Sequence, residues 1–178
     1  NDKGIDDSHY TETSGSEKWQ RVDVGFAHLQ ESYATGENPF DDGTARMVAT
    51  VDSKKNLSWA HWGGKIETAG IYSVYVSYTT TEEAVSDAHY VVHAAGGDRK
   101  FLVNQKMGGS MWICLGEFFF EEGNHARMVS LSNASKEEGV VLADAVKIGG
   151  GMGTIHRNVT PSLRTNGELY EETTSGYP

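Results

Sequence analysis

Two histidines separated by three residues, His89 and His93 in "HYVVH", have the spacing that places two zinc ligands on one face of a helix. The intervening Tyr-Val-Val favours a strand instead. On a strand the two rings share a face but stand roughly 13 Å apart, beyond the reach of one metal ion. The HExxH form is absent, so no metal is favoured at this pair. "NPFDDGT" offers Asp41 and Asp42 before Gly43, and carboxylates on a sharp turn are what Ca²⁺ prefers. The spacing of a full calcium loop is missing, and a turn capped by Asp side chains is the preferred reading. Ca²⁺ is thus the only cofactor with candidate ligands, and no other is expected.

Covalent catalysis finds little support. No G-x-S-x-G elbow occurs, and the seven histidines show no spacing that converts into a triad. Cys114, the only cysteine, lies in the apolar run "SMWICLGEFFF" and reads as a packed, inert thiol. Adjacent glutamates at 82–83, 121–122, 137–138 and 171–172 fall at turns or ends. Neighbours on a strand point to opposite faces, so these pairs suit solvated turns better than acid–base work. No catalytic residue is assigned.

Aromatic and amide side chains are the better candidates, because sugar C–H faces stack on indole and phenol rings while hydroxyls seek amides. Trp59 and Trp62 flank His61 beside a Gly-Gly pair, Tyr33 lies in "QESYATGENPF", and Asn104 and Gln105 close a strand-like run in "VNQKMGG". Trp62, nearest a loop, is the first choice for an exposed ring. Trp112 opens "WICLG" and reads as core or edge packing. Sequons at Asn56, Asn133 and Asn158 carry little weight.

The elements that must position these groups are short. "WQRVDVGF", "ARMVATV", "NLSWAHW", "IYSVYVSYTT", "AHYVVHAA", "KFLVNQ", "SMWICLGEFFF", "ARMVSLS" and "GVVLADAVKI" are rich in β-branched and aromatic residues. Ile71, Ser73, Tyr75 and Ser77 alternate with Tyr72, Val74, Val76 and Tyr78. Gly-containing separators punctuate the runs, and no window has a convincing amphipathic helix. The pattern predicts an all-β fold, an antiparallel β-sandwich of about nine strands. Residues 1–16 read as a polar N-terminal tail, 17–148 as the module, and 149–178 as a Gly-rich linker or extension toward another domain. "VVLADAVKIGGGMG" reads as one last strand, Val140 to Ile148, anchored by Asp144. The following glycines lack a P-loop Lys and open no helix, so a final strand is a better reading than a phosphate loop.

The chain has 178 residues and a formal charge of −10, which opposes nucleic acid and anionic lipid surfaces. No run is long enough to span a bilayer as a helix, so membrane insertion is not expected.

"NPFDDGTARM", "AGIYSVYVSYTT", "SDAHYVVH", "FLVNQKMGGSMWICLGEFFFEEG", "VSLSN" and "VVLADAVKIGGGMG" together resemble the golvesin/xanthan-lyase carbohydrate-binding-like domain over roughly residues 19 to 153. The resemblance implies a β-sandwich with jelly-roll character. It also implies a module that accompanies catalytic domains in secreted, periplasmic or cell-surface proteins of Bacteroides-type bacteria, described as xanthan lyases or N-acetylmuramoyl-L-alanine amidases. The recurrent positions Gly70, Tyr72, Val74, Tyr90, Val103, Asn104, Gln105, Trp112, Leu115, Gly116, Phe118, Asp144 and Val146 read as fold determinants. Phe119 breaks the polar-outward alternation and would mark contact with a partner domain if exposed.

The leading expectation is a non-catalytic module binding or positioning a glycan, polysaccharide or peptidoglycan, for an attached lyase or hydrolase. The alternative is a structural spacer or docking domain on its host enzyme. A lyase or amidase activity in this chain ranks third, because a lyase must neutralise a uronate carboxylate and this sequence lacks clustered Arg and Lys.

Overall fold

The computed structural model describes residues 9–25 and 43–149, and the description below is confined to them. All its regular elements are strands: β1 (Tyr10–Thr13), β2 (Gln20–Val22), β3 (Ala45–Ala49), β4 (Trp59–Ile66), β5 (Gly70–Ser77), β6 (Ala88–Ala94), β7 (Gly97–Val103), β8 (Ile113–Phe120), β9 (Gly123–Ser132), β10 (Val140–Ala143) and β11 (Ala145–Ile148). One layer is a five-stranded sheet in the order β1-β4-β9-β6-β7. The other consists of two three-stranded sheets, β10-β3-β2 and β11-β5-β8. Every strand pair is antiparallel.

Period-two patterning explains the layers. Ala60, Tyr90, Val92, Val129 and Leu131 point inward from the five-stranded sheet. They meet Val48, Leu142, Val74, Val76 and Phe120 of the second layer in one buried cluster. Most connections cross between layers, as from β4 to β5, β5 to β6, β7 to β8 and β8 to β9. That is the sandwich with jelly-roll character which the resemblance implied.

Two elements differ from the sequence reading. Tyr10–Thr13, within the stretch read as a tail, is the edge strand β1 on β4. Its Glu12 forms a bidentate pair with Arg46 of β3 in the opposite layer, at 2.6 and 2.9 Å. Tyr10 donates to the same carboxylate at 2.8 Å, and burial beside Glu12 pushes the phenol pKa up. The polar letters that suggested a tail are therefore spent on a bond between layers. The last strand is also not continuous. Val140–Ala143 pair with β3, Ala145–Ile148 pair with β5, and Asp144 stands at the change of sheet.

A third difference follows from a β-bulge in β8. Phe118 and Phe120 face inward, and strict alternation would turn Cys114 and Trp112 inward too. The register with β5 shifts by one between Val74 and Tyr75, beside Gly116 at φ 133°. The extra residue reverses parity, so Ile113 and Leu115 pack on the core instead. Cys114 is consequently exposed, not a packed core thiol.

Candidate functional site

The structure separates the residues that sequence reasoning grouped. Trp62 faces inward: it packs on the core and against Tyr10, with ring centroids 5.4 Å apart. Its parity on β4 is that of Ala60, so it cannot serve as the exposed platform. Trp59 has the opposite parity and lies on the outer face of the five-stranded sheet, stacked on His61 at 6.0 Å. Gln105 is fully buried, and its amide is consumed by Leu142 and Tyr90. Asn104 is a turn residue: its Oδ1 accepts from the Lys106 N–H at 2.9 Å. The Gln105 amide is thus spent on the backbone and side chain around it. Tyr33, Asp41, Asp42 and Asn158 lie outside the described residues. Asn133 is fully buried, with its amide bonded to Ser58 N–H and the Ala49 carbonyl, which excludes glycosylation of the folded chain there.

A line of polar groups crosses the outer face of the five-stranded sheet. Asp98 Oδ1 is 2.8 Å from His93 Nδ1, His93 Nε2 is 2.8 Å from Ser130 Oγ, and Ser130 Oγ is 2.7 Å from His61 Nδ1. Asp98–His93–Ser130 therefore has the order of a serine-hydrolase triad. The sequence carried half of the signal: the two-residue turn Ala95–Gly96 sets His93 opposite Asp98. The Ser130 partner required the pairing of β9 with β6, which no local motif announces.

The rest of a hydrolase site is missing at Ser130. It is buried at 1% exposure, and β9 is paired on both sides, with β4 and β6. Backbone N–H groups beside it are committed to the ladder, leaving no pair of donors for an oxyanion. Burial holds His61 at a pKa of about 4, with repulsion from Arg127 and His93 adding to the fall. A neutral His61 can donate from Nδ1 to Ser130 Oγ, whose hydroxyl then donates to His93, and His93 donates to Asp98. The line thus ties β4, β9, β6 and β7 together laterally. Among the described residues no group of three or more His, Cys, Asp or Glu side chains could hold a metal ion.

The outer face of the β11-β5-β8 sheet has a different character. Lys147 of β11 pairs with Tyr75 of β5, which pairs with Cys114 of β8. Lys147 Nζ stands 4.7 Å from the Tyr75 ring centroid and 4.9 Å from that of Trp112. The bulge at Gly116 is what turns Trp112 onto this face. A braced loop precedes it: Tyr78 Oη donates to the carbonyls of Asn104 and Met107, and Ser110 N–H donates to the Tyr78 carbonyl. Gly109 lies so close to Thr80 that a Cβ would meet its Oγ1 at 1.9 Å. The loop is therefore fixed by hydrogen bonds and by close backbone approach, and Trp112 follows in a set position.

Ile71 and Phe119 continue this face as cross-strand partners, 39% and 47% exposed. Two partly exposed rings, one ammonium and an adjoining apolar pair make a surface suited to stacking and hydrogen bonding rather than to bond cleavage.

No curated protein matches the chain. Among solved structures, one from work on "the promiscuous specificity of the carbohydrate-binding modules from the beta-sandwich super family" is 10% identical with a TM-score of 0.42, and the alignment covers 79% of this chain and 57% of that one. The chain thus spans little more than half of that structure. A second, named "BiXyn10A CBM1 APO", is 17% identical with a TM-score of 0.38, covering 78% of this chain and 95% of that one. The sequence model of the Golvesin C-terminal domain matches residues 6–150, which takes in every strand from β1 to β11. By that match, the chain belongs to the Golvesin C-terminal domain family.

Proposed function

We propose that this domain is a non-catalytic accessory module that binds a glycan for an attached lyase or hydrolase, outside the cell or at its surface. The observation that carries the reading is the Tyr75–Trp112 pair, two rings held by strand register and a braced loop on an outer face with Lys147 between them. Sugar C–H faces gain dispersion and C–H/π contact on such rings, while Lys147 can donate to ring hydroxyls. The lack of free N–H donors beside Ser130 supports placing the bond-breaking chemistry in another domain.

Glycan-array screening followed by calorimetric titration tests this. Tyr75→Ala and Trp112→Ala are each expected to weaken binding about tenfold, with thermal unfolding little changed because both rings lie outside the core. Unchanged affinity in both folded variants, or no bound glycan on the array, would remove the proposal.

The exposed Ile71–Phe119 pair favours a second reading, a docking surface for the host catalytic domain. In that case fusion to the catalytic domain raises the melting temperature of this one, and Phe119→Ser abolishes the rise. Equal melting temperatures with and without the catalytic domain would count against docking.

A further inference from the structure

We infer that the Tyr75–Trp112–Lys147 surface selects acidic sugars, with Lys147 receiving the carboxylate of a uronic acid or a similarly charged residue. The inference rests on the glycan-binding reading and names its ligand class. Lys147 Nζ sits within 5 Å of two ring centroids, so aromatic carbon replaces part of its water shell. Among the described residues no carboxylate stands within ion-pairing distance of it. Lys65 and Lys106, by contrast, are paired with Glu67 and Glu137. Glu117 is on the same outer face, but it is opposite Ser73, in the next outward row from Tyr75 and Lys147.

A sugar stacked on Trp112 and Tyr75 would remove still more water from the ammonium. A neutral sugar would offer that partly desolvated charge only hydroxyl acceptors, which compensate it less than an anion does. A carboxylate at that point compensates the charge with a charge-assisted hydrogen bond. The formal charge of −10 acts against any anion at long range. That repulsion is screened beyond about 8 Å at physiological ionic strength, whereas the contact with Lys147 is not. The surrounding acidity therefore slows the approach of an acidic glycan more than it weakens the bound state.

The test uses the full chain and an array carrying uronate oligosaccharides beside their carboxyl-reduced counterparts, at 150 mM salt and pH 7. The expected result is a preference of about tenfold for the acidic member of a pair, the size of one hydrogen bond to a charged group. Lys147→Met keeps the aliphatic stem against the rings and should bind both members equally, while Lys147→Arg should retain the preference. Equal binding of both members by the unaltered chain, or a preference that survives Lys147→Met, overturns the acidic-sugar inference and leaves glycan binding standing. Binding of neither member overturns both.

Discussion

Gln105→Ala is expected to lower the unfolding free energy by about 3 kcal/mol, the largest single effect anticipated for a polar side chain. The second layer changes sheets at Asp144, and just before the change no described strand lies beside one backbone edge of β10. Gln105 fills that place. Its Oε1 accepts from Leu142 N–H at 2.9 Å and its Nε2 donates to the Leu142 carbonyl at 2.8 Å, a side-chain amide acting as one residue of a missing strand. The same Nε2 lies 3.2 Å from Tyr90 Oη, deep in the core. Truncation leaves the Leu142 N–H and carbonyl unpaired at zero exposure and opens a cavity beside Tyr90. Gln105→Leu fills the volume but not the hydrogen bonds, so it should recover less than half of the loss. Urea unfolding of the three proteins decides the matter. A loss below about 1 kcal/mol in Gln105→Ala would mean that water or a shifted strand satisfies Leu142 instead.

That residue also shows what could be read from the sequence. Strand positions were legible because alternation of β-branched and aromatic residues is a local property. Tyr72, Val74 and Val76 face the core as their spacing predicts. Gln105 was visible as a polar group at a strand end, and surface amides are the ordinary case at such a place. Its burial depends on where β10 changes sheets, a fact of topology that no short window contains. Cys114 went to the wrong face for a related reason. One bulge at Gly116 inverts the parity of everything before it in β8, and a glycine inside an aromatic strand is only a hint of one. The place of Trp112 beside Tyr75 follows from that single inserted residue. Glu12 was hidden differently: a charged residue in a polar stretch looks solvated until its partner, Arg46, is brought to it from the other layer.

The buried histidine gives the second large effect, and its sign is set by linkage. His61 is 6% exposed and has a folded-state pKa of about 4, against 6.5 ordinarily. Between those values the unfolded chain binds a proton that the folded chain refuses. Stability therefore rises with pH across the window: it is fully present above 6.5, falls as pH drops from 6.5 toward 4, and is level below. The contribution lost is on the order of 2 kcal/mol, below the full linkage value because water still reaches part of the ring. Arg127 and His93 both oppose a charge at His61. Asp98 is engaged with the far nitrogen of His93. His61→Asn places an amide where Nδ1 stands, retains a bond to Ser130 and cannot titrate. The expected result is that the stability difference between the unaltered chain and His61→Asn shifts by that amount from pH 7 to pH 4, measured by urea unfolding at each pH. Carboxylate titrations occur in both proteins and cancel in the difference. A difference that stays constant across the range would show that His61 is not held neutral by burial, and would restore a charged histidine beside Ser130.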